Sequence, residues 1–165
     1  MTPAITLEEL LVWNQETSSF WKTWLDANPA VLELPCDIGR AKSVQEFVRH
    51  IWVVDLFWTR RIAGLPELDR EKMPHGPLDV LFEQHLEAFK ILRSLLDDPA
   101  FAWDVKLNLA AQFLPPEKRT PTRRKALAHL LLHGPRHWAQ LATLVRVAGF
   151  QSGFFGALLI SSALE

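Results

Sequence analysis

Cysteine is nearly absent. Among 165 residues only Cys36 carries a thiol, so no internal disulfide can form and the chain suits a reducing compartment. Tyrosine is missing altogether, and seven Trp, at positions 13, 21, 24, 52, 58, 103 and 138, are scattered as helix-packing bulk is. An excess of one charge is lacking too. The formal net charge of −1 argues against a general polyanion binder, and no nucleic-acid partner is expected. The most apolar stretch, FFGALLI (154–160), is far shorter than the ~20 residues a membrane span needs, so no membrane partner is expected. The opening MTPAITLEEL shows neither the basic nor the apolar run of a secretory signal. These absences point to a cytoplasmic protein with one domain, residues 1–165, a length that buries roughly 70% of the unfolded surface.

Sustained period-2 alternation is also lacking, although WDVKLNL (103–109) comes closest and reads as a short extended piece. Helix signals are present instead. Thr6 with Glu9 forms a capping box ahead of Leu7, Leu10, Leu11, Trp21, Trp24 and Leu25, and Asn28-Pro29 ends that helix. Ser43 with Glu46 forms a second box, ahead of a helix that Gly64 and Pro66 close. A third helix runs from about Pro77 to Asp98-Pro99, with His85 on its apolar side. A fourth begins at Thr120-Pro121 or Thr122 and stops at Gly149. Four such helices predict an all-α four-helix bundle. The connections 29–42 and 99–119 exceed what a minimal bundle needs, so at least one is expected to be a crossover or a lid.

The fourth helix contains HLLLHGPRHWAQL (129–141), three histidines four apart, interrupted by Gly134-Pro135. An interior proline costs ~3 kcal/mol or kinks a helix. A helix restarted there would shift its apolar phase, yet Ala126, Leu130, His133, His137, Leu141, Leu144 and Ala148 keep one phase throughout. One continuous, kinked helix is therefore predicted, with Gly134 leaving room beside the histidines. On a helix, His at i and i+4 rise ~6 Å and differ by ~40° in direction, so two imidazoles can converge on one ion. His129 and His137 lie ~12 Å apart along the axis and cannot share one. The pair is His129/His133 or His133/His137, and a third ligand could come from His50 or His85, each mid-helix.

The stretches EFVRHIWVVDLFWTRRIAGLP (46–66) and ALAHLLLHGPRHWAQLATLVRVAGF (126–150) resemble the DinB/YfiT-like family of metal-dependent enzymes. That resemblance implies a bundle of the DinB type in which His50, His133 and His137 hold the metal, with Gln140 three residues after the last ligand. The chain departs from the family's frequent His-Arg-Gly-Gln by reading His137-Trp138-Ala139-Gln140, and Gly134-Pro135 is unusual between paired ligands.

Three neutral imidazoles would leave one divalent ion with open positions, as in catalytic zinc sites. Zn²⁺ or Ni²⁺ suits imidazole best, with Fe²⁺ and Mn²⁺ as further candidates. Asp55, Glu83, Glu87 and Gln140 are candidates to orient the ligand rings. Asn14, Thr17 and Ser18 are polar on the inward stripe of the first helix, where they either face water or line a cavity opposite the histidines. The resemblance implies hydrolysis or S-transfer on a small-molecule substrate, with a low-molecular-weight thiol as the cosubstrate of some members. No catalytic residue is assigned, and Cys36 reads as inert. The competing reading is a stress-related bundle acting through protein contacts, its metal site vestigial or absent. In either case GFFGALLI (153–160) offers a homodimer surface. The basic run KRTPTRRK (118–125) opposes the dipole of the fourth helix and suggests an anion or acidic partner nearby.

Overall fold

The computed structural model describes residues 4–69, 73, 75–109, 115–153 and 156–164. Its four α-helices are α1 (Leu7–Ala27), α2 (Val44–Ala63), α3 (Leu78–Leu96) and α4 (Arg123–Val147). No strand occurs among the described residues, and no helix there is long and apolar enough to cross a membrane.

The helix starts follow their caps. Thr6 Oγ1 accepts from Glu9 N at 3.1 Å, and Glu9 Oε2 accepts from Thr6 N at 2.7 Å, completing the first box. Ser43 Oγ accepts from Glu46 N at 3.3 Å, but the Glu46 carboxylate takes the Lys42 N–H, at 2.8 Å. The second box is thus only half formed, because the chain enters α2 from an antiparallel bridge between Pro35 and Ser43. Thr122 caps α4 by accepting from Lys125 N at 3.1 Å.

Connection lengths are explained by which helices touch. α2 packs on α3 and α4, and α1 packs on the same two helices. Helices α1 and α2 therefore occupy opposite corners of the bundle, as do α3 and α4. The connections 28–43 and 97–122 each cross a diagonal, which requires more chain than a hairpin does. Residues 110–114 of the second lie outside the described residues.

Of the expected extended piece in that second connection, Trp103 and Asp104 form a turn and only the part after them runs extended, bridged at Lys106 to Thr122. Leu107 N donates to Pro121 O at 2.8 Å and Leu109 N to Arg119 O at 2.9 Å. Arg123 N and Arg124 N, in the first turn of α4, donate to Val105 O at 2.9 Å and Trp103 O at 3.0 Å. The Arg123 guanidinium sits 4.7 Å from the centre of the Phe101 ring. The first backbone N–H groups of α4 thus find carbonyl oxygens of the preceding connection, and the Arg123 side chain an aromatic face.

Helix α4 runs unbroken through Pro135. Pro135 has no N–H for Leu131 O, and in a buried helix that carbonyl would be left unpaired. Asn14 of α1 supplies the missing donor: its Nδ2 lies 2.8 Å from Leu131 O and 2.8 Å from Leu10 O. Gly134 belongs to the same contact, since a Cβ there would lie 2.8 Å from Asn14 Oδ1. The room left by Gly134 is thus filled by Asn14 rather than kept open beside the histidines.

The apolar line of α4 holds as expected at Ala126, Leu130 and Leu141, all buried, but it is wider than expected and shifts in the middle. Leu127, Leu131, Gly134, Trp138 and Val145 are buried too, whereas His133 and His137 are half-buried at its edge and Ala148 is exposed. Trp138 stacks on Trp21 with ring centroids 5.5 Å apart and meets Trp52 at 5.9 Å, filling the core behind the histidines. At the far end of the chain, Glu16 accepts hydrogen bonds from Ser161 and Ser162 and ties that segment to α1. Those bonds, the one from Ser161 above all, hold the Glu16 carboxyl below the usual range.

Asn14→Ala should lower stability by about 1–3 kcal/mol, the cost of leaving a buried carbonyl unpaired. Pro135→Ala restores an N–H for Leu131 O, so the loss should shrink in the double variant. Gly134→Ala should destabilise despite alanine's better helix propensity, and much less so beside Asn14→Ala. Urea unfolding of the single and double variants measures both couplings, and strictly additive effects would contradict them.

Candidate metal centre

Helix geometry brings the site together. His133 and His137 lie one turn apart on α4, and His50 projects from the neighbouring α2. The rings of His133 and His137 have centroids 4.3 Å apart, and His50 stands 5.3 Å from His133 and 5.2 Å from His137. One nitrogen from each of the three lies within 4.8 Å of the others, His50 being exposed and its two partners half-buried. Two ligands bonded to one ion at ~2.1 Å can be at most ~4.2 Å apart, so an ion would draw in any pair near the upper end of that spread.

The hydrogen bonds around His137 fix its chemistry. His137 Nδ1 lies 2.7 Å from Gln140 Oε1, an atom that can only accept. Nδ1 therefore carries the proton, and Nε2 keeps its lone pair for a ligand. Phe47 meets the same ring edge-on at 5.2 Å. Burial and the Arg136 charge lower the pKa of His137, against its hydrogen bond to Gln140 and the charge of Asp55. Burial, with the charges of His137, His50, His129 and Arg136, pushes His133 down to about 3. Its Nδ1 is buried without a hydrogen-bond partner. A neutral imidazole with an unsatisfied buried nitrogen is the protonation state a metal ligand requires, so the donor set fits a divalent ion.

The rejected histidines are placed by their own partners. His85 is 1% exposed, and its Nδ1 donates to Asp55 Oδ2 at 2.8 Å deep between α2 and α3. Trp52, Phe82 and Phe89 surround it, with the Phe89 ring 4.1 Å away. His129 is exposed, 6.3 Å from His133 and 5.6 Å from Trp58 by ring centroid.

Several residues assigned to the surroundings of the site lie elsewhere. The hydrogen bond of Asp55 goes to His85, and only its charge reaches His137; burial raises its pKa. Glu83 is exposed, and Glu87 is an exposed partner of Arg60 at 3.9 Å. Asn14, Thr17 and Ser18 are all buried, so the water-facing alternative does not hold. Asn14 is engaged at Leu131 and Gly134. The Thr17 methyl lies 3.1 Å from where a Gly156 Cβ would stand, so it packs against the chain end. None of the three lines the cavity beside the histidines. That cavity, about 470 Å³, is bordered by Gln140, His137 and His50 and by residues the sequence reading passed over, among them Arg40, Arg49, His75 and Arg136. The position of Arg136 immediately before His137 was a usable signal. Arg40 and His75 sit in connections, where periodicity gives none.

A model of the DinB family matches residues 2–162 of the chain. No curated protein matches it.

The depressed pKa of His133 sets a pH expectation for the metal-free protein. The unfolded chain takes up this proton near 6.5 and the folded one only near 3. Folded-state stability therefore gains nothing from His133 above 6.5 and falls as pH drops through the window between those values. In an NMR titration the His133 ring should show no protonation step between pH 8 and pH 4.5. A midpoint near 6.5 would place His133 in water instead.

Proposed function

The chain belongs to the DinB family, and on that footing we propose that it is a cytoplasmic metal-dependent enzyme acting on a small molecule. The observation carrying this reading is the convergence of His50, His133 and His137 from two helices on one point at the edge of a cavity. Zn²⁺ or Ni²⁺ is the preferred ion for an all-imidazole set, ahead of Fe²⁺ and Mn²⁺. When bound, the ion supplies Lewis acidity that activates a water or a low-molecular-weight thiol for hydrolysis or S-transfer.

The rest is the work of the chain's own residues. Gln140 holds the His137 ring in one orientation and one tautomer. Phe47 and the buried tryptophans behind it keep the inner side of the site dry, so charge interactions there are screened less than in water. The exposed side of His50 faces the cavity, whose volume lies within the range of small-molecule sites. With no anionic ligand in the set, a divalent ion keeps its full charge and favours anionic reactants.

A homodimer is part of the proposal. Leu159 is 99% exposed and Ile160 51%, an apolar surface near the chain end that a second copy would cover. Phe154 and Phe155 of the same stretch lie outside the described residues.

Metal content by mass spectrometry on untagged protein tests the reading. About one divalent ion per chain is expected, lost on replacing His50, His133 or His137 by Ala and kept on replacing His85 or His129. Gln140→Leu should retain the site with roughly 10–100-fold weaker metal affinity. No metal after reloading with Zn²⁺ or Ni²⁺ would favour the interaction-module reading. Loss of metal with His129→Ala or His85→Ala would mean a different ligand set.

A further inference from the structure

We infer that the cavity beside the three histidines binds an oxyanion group of its small-molecule ligand, carboxylate or phosphate, through Arg40 and Arg136. This rests on the proposal that the cavity is a small-molecule site, and it adds the chemical class of the molecule.

The cavity border carries an excess of positive charge. Among the described residues, Arg40, Arg49 and Arg136 border the cavity with one carboxylate, Glu46. The chain as a whole carries a net charge of −1, so this local excess does not follow from a basic composition. Glu46 does little to offset it. Its Oε2 is bonded to Lys42 N at 2.8 Å in the first turn of α2, where the helix dipole already favours a carboxylate. A solvated arginine is ordinary, but three on one concave surface raise the local concentration of anions.

The three arginines differ in what already engages them. Arg49 Nη2 donates to Met73 O at 3.1 Å, so its guanidinium is partly committed to structure. Arg40 and Arg136 are exposed, and neither forms an ion pair among the described residues. Their guanidinium groups retain the planar fork of donors that matches two oxygens of a carboxylate or phosphate.

The chain positions both. Arg136 directly precedes His137 on α4. Arg40 sits in a turn closed by Ala41 N donating to Ile38 O at 3.2 Å, with Gly39 at φ +66° providing the left-handed step. The flanks of that turn are joined by Cys36 N to Lys42 O and Val44 N to Leu34 O, each 3.0 Å, and Cys36 and Ala41 are buried in the core. The turn is therefore a braced support rather than a free loop, and its backbone loses little entropy when Arg40 engages a ligand. The two arginines come from different elements and border the same cavity as His50 and His137.

Isothermal titration of the Zn²⁺-loaded protein with succinate, with inorganic phosphate and with neutral succinamide tests the inference. Succinate or phosphate should bind and succinamide should not, and the tighter of the two anions identifies a planar or a tetrahedral group. Arg40→Gln/Arg136→Gln should weaken anion binding at least 10-fold with metal content per chain unchanged, because neither residue is a ligand. Arg40→Lys/Arg136→Lys, which keeps charge but loses the fork, should fall between. Anion binding unchanged in the Gln variant, absent from the parent, or matched by succinamide would overturn the inference. The two proposals fail separately. If the parent holds no metal but the metal-free protein binds an anion that the Gln variant loses, the arginine site stands and the metalloenzyme reading falls. If His133→Ala abolishes anion binding while the arginine variants leave it intact, the anion binds the metal alone and the arginine inference falls.

Discussion

The bond from Asn14 Nδ2 to Leu131 O is the contact on which the site depends. Pro135 removes an N–H one turn after Leu131, between the two α4 histidines, where an interruption would turn His137 away from His133. A side chain from another helix supplies the lost donor, and Gly134 supplies the space for it. With the gap bridged, α4 continues to Val147, and His133, His137 and Gln140 stay on successive turns of one frame. The polar residue that looked misplaced on the inward stripe of α1 is therefore a structural partner of the proline that looked misplaced in α4.

The same economy of polar groups sorts the histidines. Asp55 and the Nδ1 of His85 bond each other between α2 and α3 within a wall of aromatic rings, which keeps both away from the surface where an ion could enter, although His85 Nε2 has no hydrogen-bond partner among the described residues. His50 is left at the mouth of the cavity and His137 is oriented by Gln140. The diagonal connections contribute in a different way. By putting α2 next to α4 they set His50 opposite the α4 pair, and the braced turn within the connection 28–43 borders the same cavity.

Much of this was readable from residue order. Thr6, Ser43, Thr122 and Gly64 mark helix ends through local hydrogen bonds that need no knowledge of the fold. Unbroken apolar phase across Pro135 marked α4 as one helix, and the length of two connections marked at least one of them as a crossover or a lid. What was not readable depends on contacts between distant residues. Asn14 and Leu131 are 117 positions apart, and nothing in either neighbourhood names the other. Periodicity gives the repeat of a helix more firmly than its rotation. For that reason the middle of the buried line of α4 was placed one residue off, on His133 and His137 rather than on Gly134 and Trp138. A glycine and an indole make a poor apolar stripe on paper, yet one faces Asn14 and the other stacks on Trp21. His50 and His85 were equivalent by position, and only the resemblance favoured His50. Physically, the distinction is made by Asp55, one turn further along α2 and 30 positions from His85.

Because the donor that completes α4 is carried by α1, the two ends of the chain have to meet before the middle of the last helix is sound. In a peptide containing α4 alone water would take the place of Asn14 at Leu131 O, and Gly134-Pro135 would weaken the helix between its histidines. During vectorial synthesis α1 emerges first and waits, and the imidazoles of α4 acquire their common orientation only when the last helix docks. Assembly of the histidine cluster is thus locked to completion of the tertiary fold, and a partly made chain offers metal no preformed place to lodge.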